Sequence, residues 1–300
     1  MRKRRLSPLE VYPAGEKRVR AEMIELASGT RVRVLQAGPQ DAHPLVLVAG
    51  WGCTAWLFHE TILPLAAAGH RVVAVELHGH GFSDKPASES RYSTASMRDH
   101  LLEIVDALGL ERAGFVGHSM GAAIVAQLAA LAPHRVTGVV LVAPVGFAGV
   151  RGMAGFRALT PELTIPLLPW LVHRFIVRMI LELVSGTLRP PTERDVDEFW
   201  APTQFRGYTR ALRHLLHAFS WDSALPSLTV PWMTIMGSKD VLSPASDAPR
   251  FIAHGAVAAP LIVSNAGHVL FTEAPEIVND ALTDFFRPWT GAKLYLTDDE

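Results

Sequence analysis

Short apolar runs alternate with longer amphipathic stretches along most of the chain. Leu45–Ala49, Val72–Leu77 and Ala113–Gly117 have the length of buried strands. The stretches Ser93–Leu108 and Met120–Leu131 have the length and the apolar spacing of helices. Strands that alternate with helices are typical of a mostly parallel sheet with helices packed on its faces. The pattern therefore predicts an α/β fold.

Further predicted elements extend this sheet toward both ends of the chain. Met23–Leu26 and Val32–Gln36 predict a hairpin that turns at Ser28–Gly29. One sheet is thus expected to use both halves of the sequence. The remaining predicted elements are the strands Val139–Val142, Trp232–Met236 and Leu261–Ser264 and the helices around His59–Ala68 and Pro275–Phe286.

The alternation of strands and helices stops between Gly146 and Trp221. Helical segments separated by prolines take its place, and the strand pattern resumes at Trp232. An insertion between two halves of one sheet is expected to form a cap over the core. The predicted organisation is a basic, flexible segment of residues 1–20, a core of residues 21–145 and 226–300, and a helical cap of residues 146–225.

Composition narrows the expected partners. The 300 residues carry a formal net charge of −1, which gives no electrostatic reason to expect nucleic acid or an acidic membrane as a partner. Basic residues gather in the first twenty positions, where a solvated terminus is favoured over an arm that binds polyanions. Cys53 is the single cysteine, and no signal peptide or membrane-spanning stretch is found. We expect a cytoplasmic protein without stable membrane insertion.

Gly117-His118-Ser119-Met120-Gly121 joins a predicted strand to a predicted helix. In this setting G-x-S-x-G holds the central serine in a strained backbone conformation, and the flanking glycines leave room for the turn. The hydroxyl then lies above the first turn of the helix, where the Met120 N–H and the positive helix end can stabilise an oxyanion. Ser119 is therefore the predicted nucleophile.

A serine hydroxyl is a poor nucleophile unless a base removes its proton. Asp240 and His268 each follow a later predicted strand, which gives the chain order Ser, Asp, His. Because functional groups of open α/β sheets gather at the carboxyl ends of the strands, these side chains are expected to meet Ser119. His268 is the predicted general base and Asp240 the carboxylate that orients it. The rival carboxylates, Asp222 and Asp247, lie before a strand and inside a predicted helix.

A second backbone donor for the oxyanion is expected in Gly50-Trp51-Gly52, where the glycines let the Trp51 N–H approach Ser119. The apolar cap stretch Leu163–Val184 is expected to form an acyl pocket while it packs on the core. Adsorption of that stretch to lipid, or dimerisation through it, is the alternative. The predicted pocket residues are Gly50, His118, Phe175, Met179 and Val241.

His78 and His80, one residue apart, and His118 beside the nucleophile raise the alternative of a metal site. No cluster of Cys, Asp or Glu at the spacing of metal ligands accompanies them, so we interpret His78-Gly79-His80 as a structural turn. We expect no metal and no organic cofactor. Cys53 has no base beside it in sequence, which gives no reason to expect a reactive thiol.

Four stretches resemble the α/β-hydrolase superfamily, within its branch of capped esterases, C–C hydrolases and perhydrolases. The resemblance implies an α/β-hydrolase fold with an inserted helical cap. Ala49, Glu76 and His78 replace the histidine, aspartate and arginine usual in the family, and the serine at 119 excludes the epoxide hydrolases and haloalkane dehalogenases, which need aspartate there. The four stretches are the oxyanion loop Leu45–Trp56, the turn Glu76–Pro86, the elbow Gly117–Gly121 and the histidine loop Asn265–His268.

These observations predict a serine hydrolase that cleaves carboxylic esters with hydrophobic acyl groups through an acyl-enzyme intermediate. A C–C hydrolase of the meta-cleavage type, which would use the same three residues, and a cofactor-free perhydrolase are the alternatives among enzymes. A ligand receptor that retains the three residues is the alternative outside enzymes. The expected partner is a small hydrophobic ester, and the sequence leaves the natural substrate and the oligomeric state open.

Overall fold

The computed structural model describes residues 4–145, 153–166, 172–221 and 225–290. Within these ranges one eight-stranded sheet is formed by β1 Arg20–Glu25, β2 Arg31–Ala37, β3 Pro44–Val48, β4 Arg71–Glu76, β5 Ala113–His118, β6 Val136–Val142, β7 Trp232–Gly237 and β8 Leu261–Val263. The spatial order is β1-β2-β4-β3-β5-β6-β7-β8. β1 pairs antiparallel with β2 and β2 with β4, whereas every other pair is parallel. The predicted α/β fold with a mostly parallel sheet is confirmed.

Helices pack on both faces of this sheet. The described helices are α1 Ile62–Ala67, α2 Thr94–Ala107, α3 Met120–Leu131, α4 Met153–Ala158, α5 Arg174–Val184, α6 Glu193–Trp200, α7 Tyr208–Ala218, α8 Ala248–Ala253, α9 Leu270–Glu273 and α10 Pro275–Phe286. Residues of α2 and α3 belong to the hydrophobic core on one face, and residues of α1 and α10 to the core on the other. Among the described helices, none combines the length and the apolarity needed to cross a bilayer.

Strand β3 shows why the apolar runs of the sequence are continuous rather than alternating. Successive side chains of a strand point to opposite faces of a sheet. Leu45 and Leu47 are buried in one core, whereas Val46 and Val48 are buried in the other. Because helices cover both faces, each position of this central strand has to be apolar.

The observed elements follow the predicted ones closely in the core. Helix α3 and helix α10 have the predicted bounds, and Ser93 caps α2 by accepting a hydrogen bond from the Ser96 N–H. The helix predicted around His59–Ala68 begins too early, because the chain first forms a 3₁₀ turn at Ala55–Phe58 and α1 follows at Ile62. The hydroxyl of Thr54 accepts from the Trp56 N–H and fixes that separate turn.

The described residues between β6 and β7 form helices joined by loops and contain no strand. Helix α6 begins with a capping box in which Thr192 and Asp195 accept each other's backbone N–H. Helix α5 is joined to α6 by an ion pair of 2.6 Å between Arg174 Nε and Asp197 Oδ1. The predicted cap boundaries, 146 and 225, stay a prediction, and residue 146 and the apolar residues 167–171 lie outside the described residues.

The flexibility of residues 1–20 stays a prediction, but residues 4–19, here called the N-terminal segment, contact the rest of the fold. Val11 and Tyr12 are buried. The Tyr12 N–H donates to Glu198 Oε1 at 2.9 Å, and the Arg33 guanidinium donates to the Tyr12 carbonyl. The Arg5 side chain donates to Thr203 Oγ1 at 2.8 Å. Basic side chains that suggested a solvated arm therefore belong to a segment that joins β2 to α6 and to the turn that follows it.

Candidate active site

Ser119 occupies the sharp turn between β5 and α3. Its backbone has φ 55° and ψ −121°, in the left-handed region that residues other than glycine rarely adopt. Neighbouring backbone passes so close to this turn that the positions two residues before and after Ser119 have no space for a side chain. A Cβ on Gly121 would lie 2.2 Å from the Val48 carbonyl oxygen, and a Cβ on Gly117 would lie 2.5 Å from the Gly121 carbonyl oxygen. Both glycines are therefore required by packing.

Three predicted site residues form a continuous hydrogen-bonded chain at the carboxyl edge of the sheet. His268 Nε2 lies 2.8 Å from Ser119 Oγ, and His268 Nδ1 lies 2.8 Å from Asp240 Oδ2. All three residues are at most 6% exposed. Because Asp240 Oδ2 accepts the Nδ1–H, the lone pair of Nε2 faces the serine hydroxyl, and this arrangement can move a proton from oxygen to nitrogen.

The position of Asp240 is fixed by its other carboxylate oxygen. Oδ1 accepts the backbone N–H groups of Leu242 and Ser243, at 2.8 and 2.9 Å. Oδ2 is thereby directed to the imidazole. The rival Asp247 lies at the end of a 3₁₀ turn, 3.7 Å from the side chain of Arg250, and Asp222 lies outside the described residues.

The predicted oxyanion loop Gly50-Trp51-Gly52 lies against the nucleophile. A Cβ on Gly50 would lie 2.6 Å from Ser119 Cβ, so the loop backbone approaches as closely as glycine allows. The Tyr208 hydroxyl donates to the Gly52 carbonyl at 3.2 Å and holds the loop on α7. Burial raises the pKa of the nearby Cys53 thiol to about 12, which keeps it protonated at neutral pH.

The predicted pocket residues occupy two different environments. Gly50 and His118 lie beside Ser119, and a Cβ on Gly50 would lie 3.2 Å from His118 Nδ1. Phe175 and Met179 on α5 are 68% and 48% exposed, and Val241 after the acid loop is 51% exposed. Their contribution to a substrate pocket stays a prediction.

The His268 backbone is held by two interactions that the sequence did not suggest. His268 N–H donates to the Val184 carbonyl at 2.7 Å, and His118 Nε2 donates to the His268 carbonyl at 2.8 Å. The preceding Gly267 N–H donates to the buried carboxylate of Glu273 at 3.0 Å. The only signal for Glu273 in the sequence is an acidic residue inside the apolar stretch that follows His268.

The turn that contains His78 and His80 packs against Tyr92 and His100. His78 Nε2 donates to the Arg91 carbonyl at 2.8 Å, and His80 Nδ1 lies 3.3 Å from the His78 carbonyl. The buried Glu76, which stands where the family usually has aspartate, accepts the Phe82 N–H at 2.7 Å and so holds the turn. Among the described residues, no group of three or more His, Cys, Asp or Glu side chains is arranged to hold a metal ion.

Lowering the pH from 7 to about 5.5 is expected to decrease the free energy of unfolding by about 1 kcal/mol for each of three buried histidines. Burial lowers the pKa of His78 to about 4 and the pKa values of His80 and His118 to about 3, from an ordinary value of 6.5. The unfolded chain therefore binds more protons below pH 6.5, and stability is lost as the pH falls from there toward 3.

Urea unfolding at both pH values measures this effect, and His78→Gln provides the comparison. That variant should lose less stability between the two pH values than the wild-type protein does. A wild-type free energy of unfolding that stays constant between pH 7 and 5.5 would contradict the expected link to these histidines.

Comparison with known proteins supports the fold and the family. A family model described as the alpha/beta hydrolase fold matches residues 43–275. A dihydrolipoyllysine-residue acetyltransferase component of an acetoin cleaving system from Pseudomonas putida is 31% identical over 86% of this chain and 67% of that protein. A pimeloyl-[acyl-carrier protein] methyl ester esterase from Edwardsiella ictaluri is 29% identical over 83% of this chain and 94% of that protein.

A third relative matches a shorter part of the chain. A 2-hydroxy-6-oxo-2,4-heptadienoate hydrolase from Pseudomonas putida is 34% identical over 46% of this chain and 51% of that protein. The solved structure of the epoxide hydrolase CorEH superimposes with a TM-score of 0.78 at 22% identity, over 90% of this chain and 99% of that one, a likeness that concerns the fold alone. The family model covers most of the sheet and includes Ser119, Asp240 and His268. The protein therefore belongs to the alpha/beta hydrolase fold family.

Proposed function

We propose that the protein is a serine hydrolase that cleaves carboxylic esters with hydrophobic acyl groups. The observation that carries the proposal is the hydrogen-bonded chain of Ser119, His268 and Asp240, with both contacts at 2.8 Å. A buried serine activated in this way is a nucleophile for carbonyl carbon. Its strained backbone supports the same interpretation, because strain of this kind is retained where a function needs it.

In the proposed acylation step, Ser119 Oγ attacks the ester carbonyl carbon while His268 Nε2 takes the hydroxyl proton. Asp240 stabilises the imidazolium that forms. The backbone N–H groups of Trp51 and Met120 are proposed to stabilise the negative oxygen of the tetrahedral intermediate. Its collapse breaks the ester C–O bond, and the proton on His268 passes to the departing alcohol. Ser119 then carries the acyl group.

Water completes the proposed cycle. His268 takes a proton from a water molecule as the water oxygen attacks the acyl carbon, and the second tetrahedral intermediate collapses with return of the proton to Ser119 Oγ. The carboxylic acid leaves. No group other than these side chains and the two backbone donors is needed in either step.

The preference for hydrophobic acyl groups is supported by the helical region that follows β6. Helix α5 presents Phe175, Met179 and Leu183 as exposed apolar side chains, while Arg174 and Arg178 pair with acidic residues of α6. An apolar surface near the carboxyl edge of the sheet suits an acyl chain better than a charged substrate. The ester cleavage named for the relative from Edwardsiella ictaluri supports the same class of reaction.

Hydrolysis of a C–C bond is the second candidate. The name of the 2-hydroxy-6-oxo-2,4-heptadienoate hydrolase from Pseudomonas putida supports it, at 34% identity over half of that protein. The same serine, histidine and aspartate would serve, so the discrimination has to come from substrates. A vinylogous diketone turned over much faster than any ester would replace ester hydrolysis as the proposed activity.

Labelling with an alkyl fluorophosphonate tests the proposed function directly. We expect one equivalent of probe to bind per chain, on the tryptic peptide that contains Ser119, because an activated serine attacks phosphorus as it attacks a carbonyl carbon. Mass spectrometry locates the adduct, and prior incubation with a hydrophobic ester should slow its formation. An unlabelled protein, or a label on a different serine, would remove the mechanism.

Hydrolysis of a series of p-nitrophenyl esters from acetate to dodecanoate measures the acyl preference. The expected result is a kcat/KM that rises from acetate to medium chain lengths, because each buried CH₂ contributes up to about 0.8 kcal/mol. Equal kcat/KM values along the series would contradict an apolar acyl site. Formation of a peracid from acetate and peroxide would favour a perhydrolase. Slow single turnover followed by lasting ligand binding would favour a receptor.

A further inference from the structure

One buried carboxylate joins the histidine loop to the end of α5. Glu273 is the last residue of α9 and is 4% exposed. Both of its oxygens accept the Gly267 N–H at 3.0 Å, and Oε2 also accepts the Gly186 N–H at 2.7 Å. Gly267 immediately precedes His268, and Gly186 lies two residues beyond the end of α5. A single side chain therefore binds two backbone segments that are far apart in sequence.

The two segments also touch each other directly. His268 N–H donates to the Val184 carbonyl at 2.7 Å, and Thr187 N–H donates to the Asn265 carbonyl at 2.9 Å. A Cβ on Gly186 would lie 2.2 Å from the Asn265 carbonyl oxygen, so the backbones are in contact with no space between them. Because closely packed segments do not deform continuously, the end of α5 and the histidine loop have to move together.

The environment of Glu273 shows how strongly it depends on these two donors. Burial raises the pKa of its carboxyl group, while the N–H groups of Gly267 and Gly186 act in the opposite direction. Among the described residues, Glu273 forms no ion pair, so backbone N–H groups supply the compensation for its burial. Removal of its oxygens would leave both N–H groups without this acceptor, which destabilises any of them that stays buried.

We propose that Glu273 is a positioning residue for His268 and couples the position of α5 to that of the imidazole. The proposal rests on the proposed function, in which His268 is the general base. Glu273 does not contact Ser119 or the reacting atoms, and it acts through the Gly267 N–H. Displacement of α5 would pull on the same carboxylate and on Val184, and so would change the distance between His268 Nε2 and Ser119 Oγ.

Glu273→Gln is the substitution that tests this coupling. A carboxamide keeps one acceptor oxygen, and its NH₂ group would face a backbone N–H in place of the second oxygen. We expect kcat for p-nitrophenyl butyrate to fall by about 10–100-fold, because small displacements of a catalytic group have effects of that order, while KM stays within about twofold. Amide hydrogen exchange at Gly186 and Gly267 should become faster, while exchange in β5 stays unchanged.

Two further variants complete the experiment. Glu276→Gln makes the same substitution at an exposed residue at the start of α10. It should leave kcat and amide hydrogen exchange at wild-type values. Glu273→Asp keeps a carboxylate on a shorter side chain and should recover part of the kcat lost in Glu273→Gln. It also allows the test to proceed should the glutamine variant fail to fold.

Unchanged exchange at Gly186 and Gly267 in Glu273→Gln would overturn the coupling. Faster exchange with an unaltered kcat, or a higher KM with an unaltered kcat, would overturn the positioning role. Faster exchange throughout β5 and β6 would show a general loss of stability and would overturn it as well. Because exchange is measured without substrate, a protein that lacks esterase activity would refute the proposed function while the exchange data still decide whether Glu273 couples the two segments.

Discussion

Replacement of Ser119 by alanine is expected to lower kcat for p-nitrophenyl esters by at least about 10⁴-fold while the protein stays folded. The substitution removes Oγ alone, so the nucleophile and the partner of His268 Nε2 are lost. Alanine keeps the Cβ that Gly50 packs against and requires no change in the backbone conformation of φ 55°. Any remaining turnover would come from substrate binding and from stabilisation of the oxyanion by backbone N–H groups.

Three measurements check this result. Ester hydrolysis under substrate saturation gives kcat, fluorophosphonate labelling shows whether a reactive serine is left, and thermal unfolding shows whether the fold is intact. Ser90→Ala, at an exposed serine in the turn before α2, is the matched control and should retain full activity and labelling. An Ser119→Ala protein with a kcat within tenfold of wild type would exclude Ser119 as the nucleophile.

Replacement of Asp240 by asparagine is expected to lower kcat by about 10⁴-fold, the size of effect found when a serine hydrolase is left with the wrong imidazole tautomer. Asp240 Oδ1 accepts the N–H groups of Leu242 and Ser243. The asparagine oxygen has to take that place, because an NH₂ group there would face two donors. The NH₂ group then faces His268 Nδ1 and requires it to be an acceptor.

With Nδ1 accepting, the proton of the neutral ring lies on Nε2, which faces Ser119 Oγ and can no longer take its proton. We expect kcat to fall with little change in KM, because substrate binding does not depend on the tautomer. The control is Asp247→Asn, at the carboxylate near Arg250, which should leave kcat unchanged. Equal losses in the two variants would contradict the assignment of Asp240, and proton NMR of the ring N–H would show the tautomer directly.

The core of the fold could be predicted from the sequence because each local pattern agrees with the final structure. A strand buried on both faces is continuous in apolar residues, as Leu45–Val48 shows, and glycine or proline marks its end. The G-x-S-x-G turn could be placed because the strand before it and the helix after it were both evident. The three site residues could be grouped because parallel strands bring their carboxyl ends to one edge.

Interactions over long sequence distances could not be predicted in this way. The burial of Val11 and Tyr12 depends on an acceptor at Glu198, and nothing near residue 12 indicates that partner. Glu273 has the pattern of an ordinary residue in the last turn of a helix, and its role follows from two backbone N–H groups that the fold delivers. Side-chain exposure on α5 likewise depends on the packing of whole helices rather than on spacing within one.

The contact between Tyr12 and Glu198 spans 186 positions, and the contact between Arg5 and Thr203 spans 198. The acceptors Glu198 and Thr203 therefore lie far along the sequence from the segment that they help to hold. Contacts of such long separation form slowly, because a large loop has to close before they contribute. We therefore expect the hairpin of β1 and β2 and the unit of β5 and α3 to assemble early, and residues 4–19 to be among the last to reach their final place.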